Sequence, residues 1–319
     1  METKRVVITG MGVISPLGLD VPTMWRNAVE GRSGIAPITL FDASDFEVRF
    51  AGEAHGFDAT NYMPAKEARR ADRFTHFAVA ALEQVLAQSR LMIDEHNAHD
   101  VGVIMGSGIG GVASYTSELE VLQTKGPRRV SPLLVPMISI DIPAVQTSLR
   151  TGARGPNMGI SSACATSANA IGQAFESLRR GHAQAMFTGG FEAAIAPIAL
   201  ATFTRMRALS RRNDDPAGAS RPFDAKRDGF VMAEGGAMFL LEDLDFAQAR
   251  GAEPLAELAG YASTSDAMYV TAPDPEGVGV AHCMTLAMER AGVGPADVSH
   301  INTHGTSTLL GDPAETQAI

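Results

Sequence analysis

Apolar residues along the chain gather in short β-branched runs, separated by longer stretches where they recur at helical spacing. Residues 5–9, 101–105, 184–188 and 237–242 read as buried strands, and 255–261 and 298–303 extend the series. The 3.6-residue period predicts helices over 66–88, 166–180 and 278–291. Strands alternating with helices predict an α/β fold on parallel or mixed sheets. Glycines punctuate the strand ends, among them Gly10, Gly12, Gly106, Gly108, Gly189 and Gly190, where the chain is expected to turn. Residues 213–220 read as a polar loop, and Arg250-Gly-Ala-Glu-Pro254 as the seam between two halves, 1–251 and 252–319. Residues 312–319 read as the first turns of a helix without a stop signal, the pattern expected of a chain cut short.

Composition narrows the class. At 45% hydrophobic and 19% charged, the chain can bury a core and does not resemble a disordered sequence. No apolar run approaches the roughly 20 residues of a membrane-spanning helix. The N-terminus enters a strand pattern directly, without the apolar segment of an export signal. Two cysteines cannot build a disulfide framework, so a reducing cytoplasm is the expected compartment. A net charge of −10 argues against general nucleic-acid binding.

Several motifs have bland readings. Gly106-Ser-Gly-Ile-Gly-Gly111 matches the G-x-G-x-x-G dinucleotide pattern after a strand. That reading needs an acidic residue at a second strand end about 20 residues on. Glu118 and Glu120 come too early, inside a helical pattern, so a glycine-lined turn is expected. His96 and His99 sit among acids in a polar segment and read as a solvated turn rather than a metal site. Cys283 reads as a core cysteine of helix 278–291, and His182 as a surface residue past a helix end.

Two segments carry chemistry. In Ile160-Ser-Ser-Ala-Cys-Ala-Thr-Ser-Ala-Asn-Ala-Ile-Gly172 an extended run ends in small residues and a helix begins at or near Cys164. A helix N-terminus favours thiolate over thiol, and its N–H groups can hold an oxyanion. A structural cysteine is the competing reading of this segment taken alone. In Ile301-Asn-Thr-His-Gly-Thr-Ser-Thr308 an apolar run ends in a histidine followed by hydroxyls. Histidine can donate a proton near neutral pH, and a structural role competes here too. A cysteine and a histidine at two strand ends, 140 residues apart, suit a nucleophilic site assembled only by the fold.

Ser161-Ser-Ala-Cys-Ala-Thr-Ser-Ala168 and Asn302-Thr-His-Gly-Thr-Ser-Thr308 resemble the two signatures of the β-ketoacyl-[acyl-carrier-protein] synthases. Supporting likeness runs through Val6-Val-Ile-Thr-Gly-Met-Gly-Val-Ile-Ser-Pro-Leu-Gly18, the segment 106–111, and Ser220-Arg-Pro-Phe-Asp-Ala-Lys-Arg-Asp-Gly-Phe-Val231. It covers essentially all 319 residues and is nearest the type II condensing enzyme of dissociated bacterial fatty acid synthesis. The resemblance implies a thiolase-like, five-layered α-β-α-β-α fold with mixed sheets and an incomplete C-terminal half. It makes 1–251 the half with the nucleophile and 252–319 a partial second half. It implies a cytoplasmic homodimer acting on acyl carrier protein with phosphopantetheine-linked acyl and malonyl groups, with no cofactor and no metal.

The resemblance also implies roles. Cys164 is the acylated nucleophile and its own N–H lies in the oxyanion hole. His304 stabilises the enolate left when the malonyl thioester loses carbon dioxide. Thr306 and Thr308 bind the pantetheine arm, and Thr271 sits in a loop that can do likewise. Ile109 lines the acyl pocket, and Leu134 reaches the partner subunit's pocket. Lys66, Arg69, Arg70, Arg128, Arg129 and Arg207 match carrier-docking positions. Their local charge agrees, since residues 205–227 alone carry seven basic side chains against three acids. The family's second catalytic histidine, the lysine before it and a glycine-rich loop fall beyond position 319, so this chain is expected to condense poorly or not at all. The alternatives are a specialised polyketide-type ketosynthase, a decarboxylase or chain-length factor, a nicotinamide oxidoreductase built on 106–111, or an inactive fragment acting as a binding module. An intact Cys164 argues against a chain-length factor.

Overall fold

A computed structural model describes residues 4–319. In chain order the elements are β1 (Val6–Ile14), α1 (Val21–Val29), β2 (Ala36–Pro37), β3 (Phe50–Ala51), α2 (Ala65–Ala68), α3 (Arg73–Ser89), β4 (Val101–Gly106), α4 (Val112–Lys125), α5 (Leu134–Ile138), α6 (Ile142–Thr151), β5 (Asn157–Ile160) and α7 (Thr166–Arg179). They continue with β6 (Ala185–Glu192), α8 (Pro197–Arg205), β7 (Gly235–Asp243), α9 (Leu244–Ala249), β8 (Ala256–Leu258), α10 (Val278–Ala291) and α11 (Gly311–Ala318). No helix among the described residues is long and apolar enough to cross a membrane.

The chain forms two compact units. The first takes in residues up to 34, 52–196 and 233–258. It is built on a six-stranded mixed sheet in the order β5-β4-β6-β7-β1-β8. β4 runs parallel to β5 and β6, while β7 is antiparallel to β6 and β1. β4 and all but the last residue of β6 are buried, which explains their unbroken apolar runs. α3 packs across the sheet through Phe74, Phe77, Ala78, Ala81, Leu82 and Val85, against Val103, Phe187, Met238 and Leu240. Full burial of each large side chain contributes roughly 1.5–3 kcal/mol.

Two expectations change here. Gly10 and Gly12 lie inside β1, not after it, and Gly189 and Gly190 lie inside β6. A side chain at Gly12 would collide with the Ala81 carbonyl, and one at Gly10 would lie 3.0 Å from the Val85 carbonyl. The glycines let α3 settle directly on the strand backbone. The helix expected over 66–88 is two helices. Asp72 breaks it by capping α3, its carboxylate accepting the Phe74 N–H at 3.4 Å.

The second unit comprises 35–51, 197–232 and 259–319. Its core gathers Val48, Phe50, Leu200, Leu209 and Met232, with Phe203 set edge-on to Phe230. β2 and β3 form a two-stranded ladder. α10 occupies 278–291 as the period predicts. Residues 298–303 are not a strand: no described strand pairs with them, the Val298 N–H turns back to the Pro295 carbonyl at 3.2 Å, and Val298 and Ile301 are exposed. The strand expected over 255–261 is confined to β8, the part that pairs with β1.

Candidate active site

Cys164 lies in a single 3₁₀ turn, Ala163–Ala165, between β5 and α7, and is exposed. It therefore precedes the α-helix rather than opening it. Ala163 has φ +49°, a left-handed conformation that costs a non-glycine residue on the order of 1 kcal/mol or more. Local hydrogen bonds hold this bend. The Ser162 N–H donates to Thr166 Oγ1 at 2.8 Å, and Asn169 Nδ2 donates to Ser162 Oγ at 2.7 Å. α7 then starts with Ala165 at its N-cap and no side-chain cap; the Ala165 N–H donates to the Ser162 carbonyl at 3.1 Å and the Thr166 N–H to the Ala163 carbonyl, which closes the 3₁₀ turn around Cys164.

The bend sits at the carboxyl ends of β4, β5 and β6 because of two glycines. A Cβ at Gly106 would strike Thr166 Cγ2, and one at Gly190 would strike Ser167 Oγ. The first turn of α7 thus packs directly on the strand ends, where α/β sheets present ligand sites.

Loop 106–111 lies beside the same bend. Ser161 Oγ donates to the Gly108 carbonyl at 3.2 Å. The amides that a dinucleotide phosphate would need are taken: the N–H groups of Gly108 and Ile109 donate to Glu192 Oε2 at 2.7 and 3.1 Å, and Ser107 Oγ to Oε1 at 3.3 Å. An internal carboxylate fills the anion position, as the glycine-lined-turn reading expects. Burial is the largest influence on Glu192 and raises its carboxyl above the ordinary range, with Asp72 adding to this against the three donors. Ile109 is 44% exposed. Leu134 opens α5, whose end closes on the loop: the Gly111 N–H donates to the Ile138 carbonyl at 3.2 Å.

In the second unit, the turn holding His304 hangs on α11. Glu315 accepts the His304 N–H at 2.5 Å and the Gly305 N–H at 2.8 Å. Thr306 and Thr308 lie together, Oγ1 to Oγ1 at 2.9 Å. Buried Asp312 fastens the turn, taking the Thr308 N–H at 3.3 Å and the Phe223 N–H at 2.7 Å, with Arg227 Nε 3.5 Å away. Thr271 is exposed in a separate loop, tied down where Asp274 N–H donates to Asp266 at 3.0 Å.

Lys66, Arg69, Arg70, Arg128 and Arg129 are exposed, and none forms an ion pair with a described residue. Glu67, the acid among them, is drawn 2.7 Å from Arg150. Arg73 is not part of that surface; it pairs with Glu234 at 2.6 Å over the rings of Phe57 and Phe77. In the basic stretch 205–227, Arg211, Arg212, Arg221 and Arg227 are paired with acids, while Arg207 is exposed. His96, His99 and His182 are exposed, and Cys283 is half-buried with its thiol toward the Ala262 carbonyl at 3.4 Å. The sequence reading missed Glu192, Asp312 and Glu315. A carboxylate closing the buried run of β6 was the available signal for the first.

Solved structures share this fold. A beta-ketoacyl synthase from Burkholderia phymatum superposes with a TM-score of 0.91 at 35% identity, covering 99% of this chain and 77% of that one. The ishigamide ketosynthase/chain length factor does so at 0.90 and 31%, with the same coverage. The class is therefore the mixed α/β, thiolase-like fold of the ketosynthases. The beta-ketoacyl synthase N-terminal domain matches residues 3–247 and the C-terminal domain residues 255–319, and the chain belongs to the beta-ketoacyl synthase family. It is 49% identical over 319 residues to 3-oxoacyl-[acyl-carrier-protein] synthase 2 of a Synechocystis strain, and 49% over 318 residues to that of Staphylococcus aureus strain COL. All of this chain aligns, against 77% of each relative.

Proposed function

We propose that this chain is a condensing acyltransferase of fatty acid elongation. The Cys164 thiolate attacks an acyl thioester and the carrier's pantetheine thiol leaves. A malonyl thioester then loses carbon dioxide, and the electron pair of the broken C–C bond becomes an enolate, whose oxygen His304 stabilises. The enolate carbon attacks the acyl-cysteine carbonyl, the C–S bond breaks, and a β-ketoacyl chain two carbons longer departs on the carrier. Cys164 N–H holds the oxyanion, and Thr306, Thr308 and Thr271 bind the pantetheine arm. Thiolate suits the first step, being soft and strongly nucleophilic.

The observation that carries this reading is an exposed cysteine on a strained bend just before α7, in a chain 49% identical to 3-oxoacyl-[acyl-carrier-protein] synthase 2 of two bacteria. The partner is acyl carrier protein, met by Lys66, Arg69, Arg70, Arg128, Arg129 and Arg207; a solved ketosynthase 30% identical to this chain is in complex with its acyl-carrier protein. The same reading makes the enzyme a cytoplasmic homodimer. β5 supports the dimer, since it is an edge strand and carries the exposed side chain of Met158. Leu134 would then reach the partner's pocket.

The test is acylation. Incubation with acyl-[acyl-carrier-protein] should add one acyl mass, mapped to the Cys164 peptide, and Cys164→Ala should not acquire it. Carrier binding without acyl transfer, or acylation at Cys283, would overturn the proposal.

A further inference from the structure

We propose that Glu192 is a positioning residue that fixes the acyl-chain preference of Cys164 by holding the backbone of Gly108 and Ile109 in place; this rests on the acyl-transfer reading above. Glu192 ends β6, and its carboxylate bridges to a loop 84 residues earlier. Both amides on Oε2 belong to the residues that carry Ile109, and the Ser107 hydroxyl lies on Oε1. Ser107 Oγ in turn accepts the Gly110 N–H at 3.0 Å, so one carboxylate organises four consecutive loop residues. The loop continues to the nucleophile, because the Gly108 carbonyl accepts from Ser161, three residues before Cys164. A chain leaving the Cys164 sulfur therefore passes a loop whose shape is set from beneath by Glu192. Three hydrogen bonds onto one carboxylate make that shape stiff. Once they are lost, Ile109 is free to move and long and short chains are discriminated differently.

Three chains are needed: wild type, Glu192→Gln and Gly108→Ala. The glutamine side chain of the first variant keeps one acceptor and puts an amide N–H₂ where an amide donor now points. The Gly108→Ala methyl arrives at the same contact from the loop side, 3.0 Å from Glu192 Oε2 and 3.7 Å from the Ala163 carbonyl. Acylation of Cys164 is followed by mass spectrometry with a short, a medium and a long acyl-[acyl-carrier-protein], and intrinsic thiol reactivity by iodoacetamide labelling of Cys164. Both variants should shift the long-to-short ratio of rates in the same direction, by about fivefold or more, while iodoacetamide rates stay within about twofold. A ratio unchanged in both variants, or an equal loss at every length, overturns the proposal and leaves the acyl-transfer reading standing. Absence of acylation in the wild type overturns both.

Discussion

The Ser167 hydroxyl occupies the space into which any side chain at Gly190 would have to project. That contact joins the first turn of α7 to the end of β6, and Cys164 stands three residues before Ser167. Gly190→Ala must turn the Ser167 hydroxyl aside, and its methyl still lies 3.0 Å from Ser167 Cβ and 3.2 Å from the Gly106 carbonyl. Overpacking of this kind costs about 1–3 kcal/mol. Thermal melts should fall accordingly, and iodoacetamide should label Cys164 at an altered rate while Cys283 keeps its own. An unchanged Cys164 rate in a folded Gly190→Ala chain would separate the helix start from the reactivity of the thiol.

Asp312 plays the matching part in the second unit. It is 1% exposed and takes two backbone amides from distant segments, Phe223 and Thr308, with Arg227 beside it. Asp312→Ala leaves those two amides without their acceptor, while the Arg227 guanidinium keeps the carbonyls of Thr308, Asp224 and Leu309. A buried donor left unpaired costs about 1–3 kcal/mol. Denaturant titration should report a loss of that order, and amide exchange should quicken at Thr308 before it does in β4. Equal exchange at Thr308 in both chains would mean that Asp312 does not hold the turn.

The sequence disclosed these elements unevenly, for physical reasons. α10 and β4 were legible because their apolar pattern is local and their ends carry turn residues. β1 was cut short at Gly10 because a glycine inside a strand looks like its end; only α3 explains it, whose Val85 carbonyl lies 3.0 Å from where a Cβ on Gly10 would stand. One helix became two because Asp72 caps α3 within an unbroken helical period. Residues 298–303 have a strand's composition, but a strand also needs a neighbour. Cys164 and His304 stood out by residue type and setting. Glu192 did not, since its meaning lies in amides 84 residues away. Glu315 likewise gains its part only when α11 folds back toward His304.

The exposed basic side chains on and near α2 have a kinetic consequence. An acidic carrier approaching Lys66, Arg69 and Arg70 is drawn by long-range attraction that salt screens over about 10 Å at 0.1 M. A Lys66→Glu, Arg69→Glu double variant should slow carrier association by about tenfold or more at low ionic strength. Added salt should then slow the wild type much more than the variant, until the two converge. Stopped-flow association at several ionic strengths measures this, and equal rates at low salt would remove these residues from the docking surface.

His76 gives the fold a pH dependence of its own. It lies on α3 with Nε2 2.9 Å from the Ala68 carbonyl, which suits a neutral ring donating that proton. Burial is the main cause holding its pKa below the ordinary 6.5, and Arg73 adds to it; the Ala68 and Ala71 carbonyls and Asp72 pull the other way. Below the ordinary value the unfolded chain gains a proton that the folded chain still resists. Folding stability therefore rises with pH through that interval, and acidification from neutral pH removes stability until the folded-state value is passed. His76→Gln has no such proton to resist. Urea unfolding between about pH 5 and 7.5 should give a steeper stability profile for the wild type than for His76→Gln, the two differing most in slope just below pH 6.5. Parallel profiles would mean that His76 titrates alike in the folded and unfolded chain, and its burial beneath α2 would then carry no proton penalty.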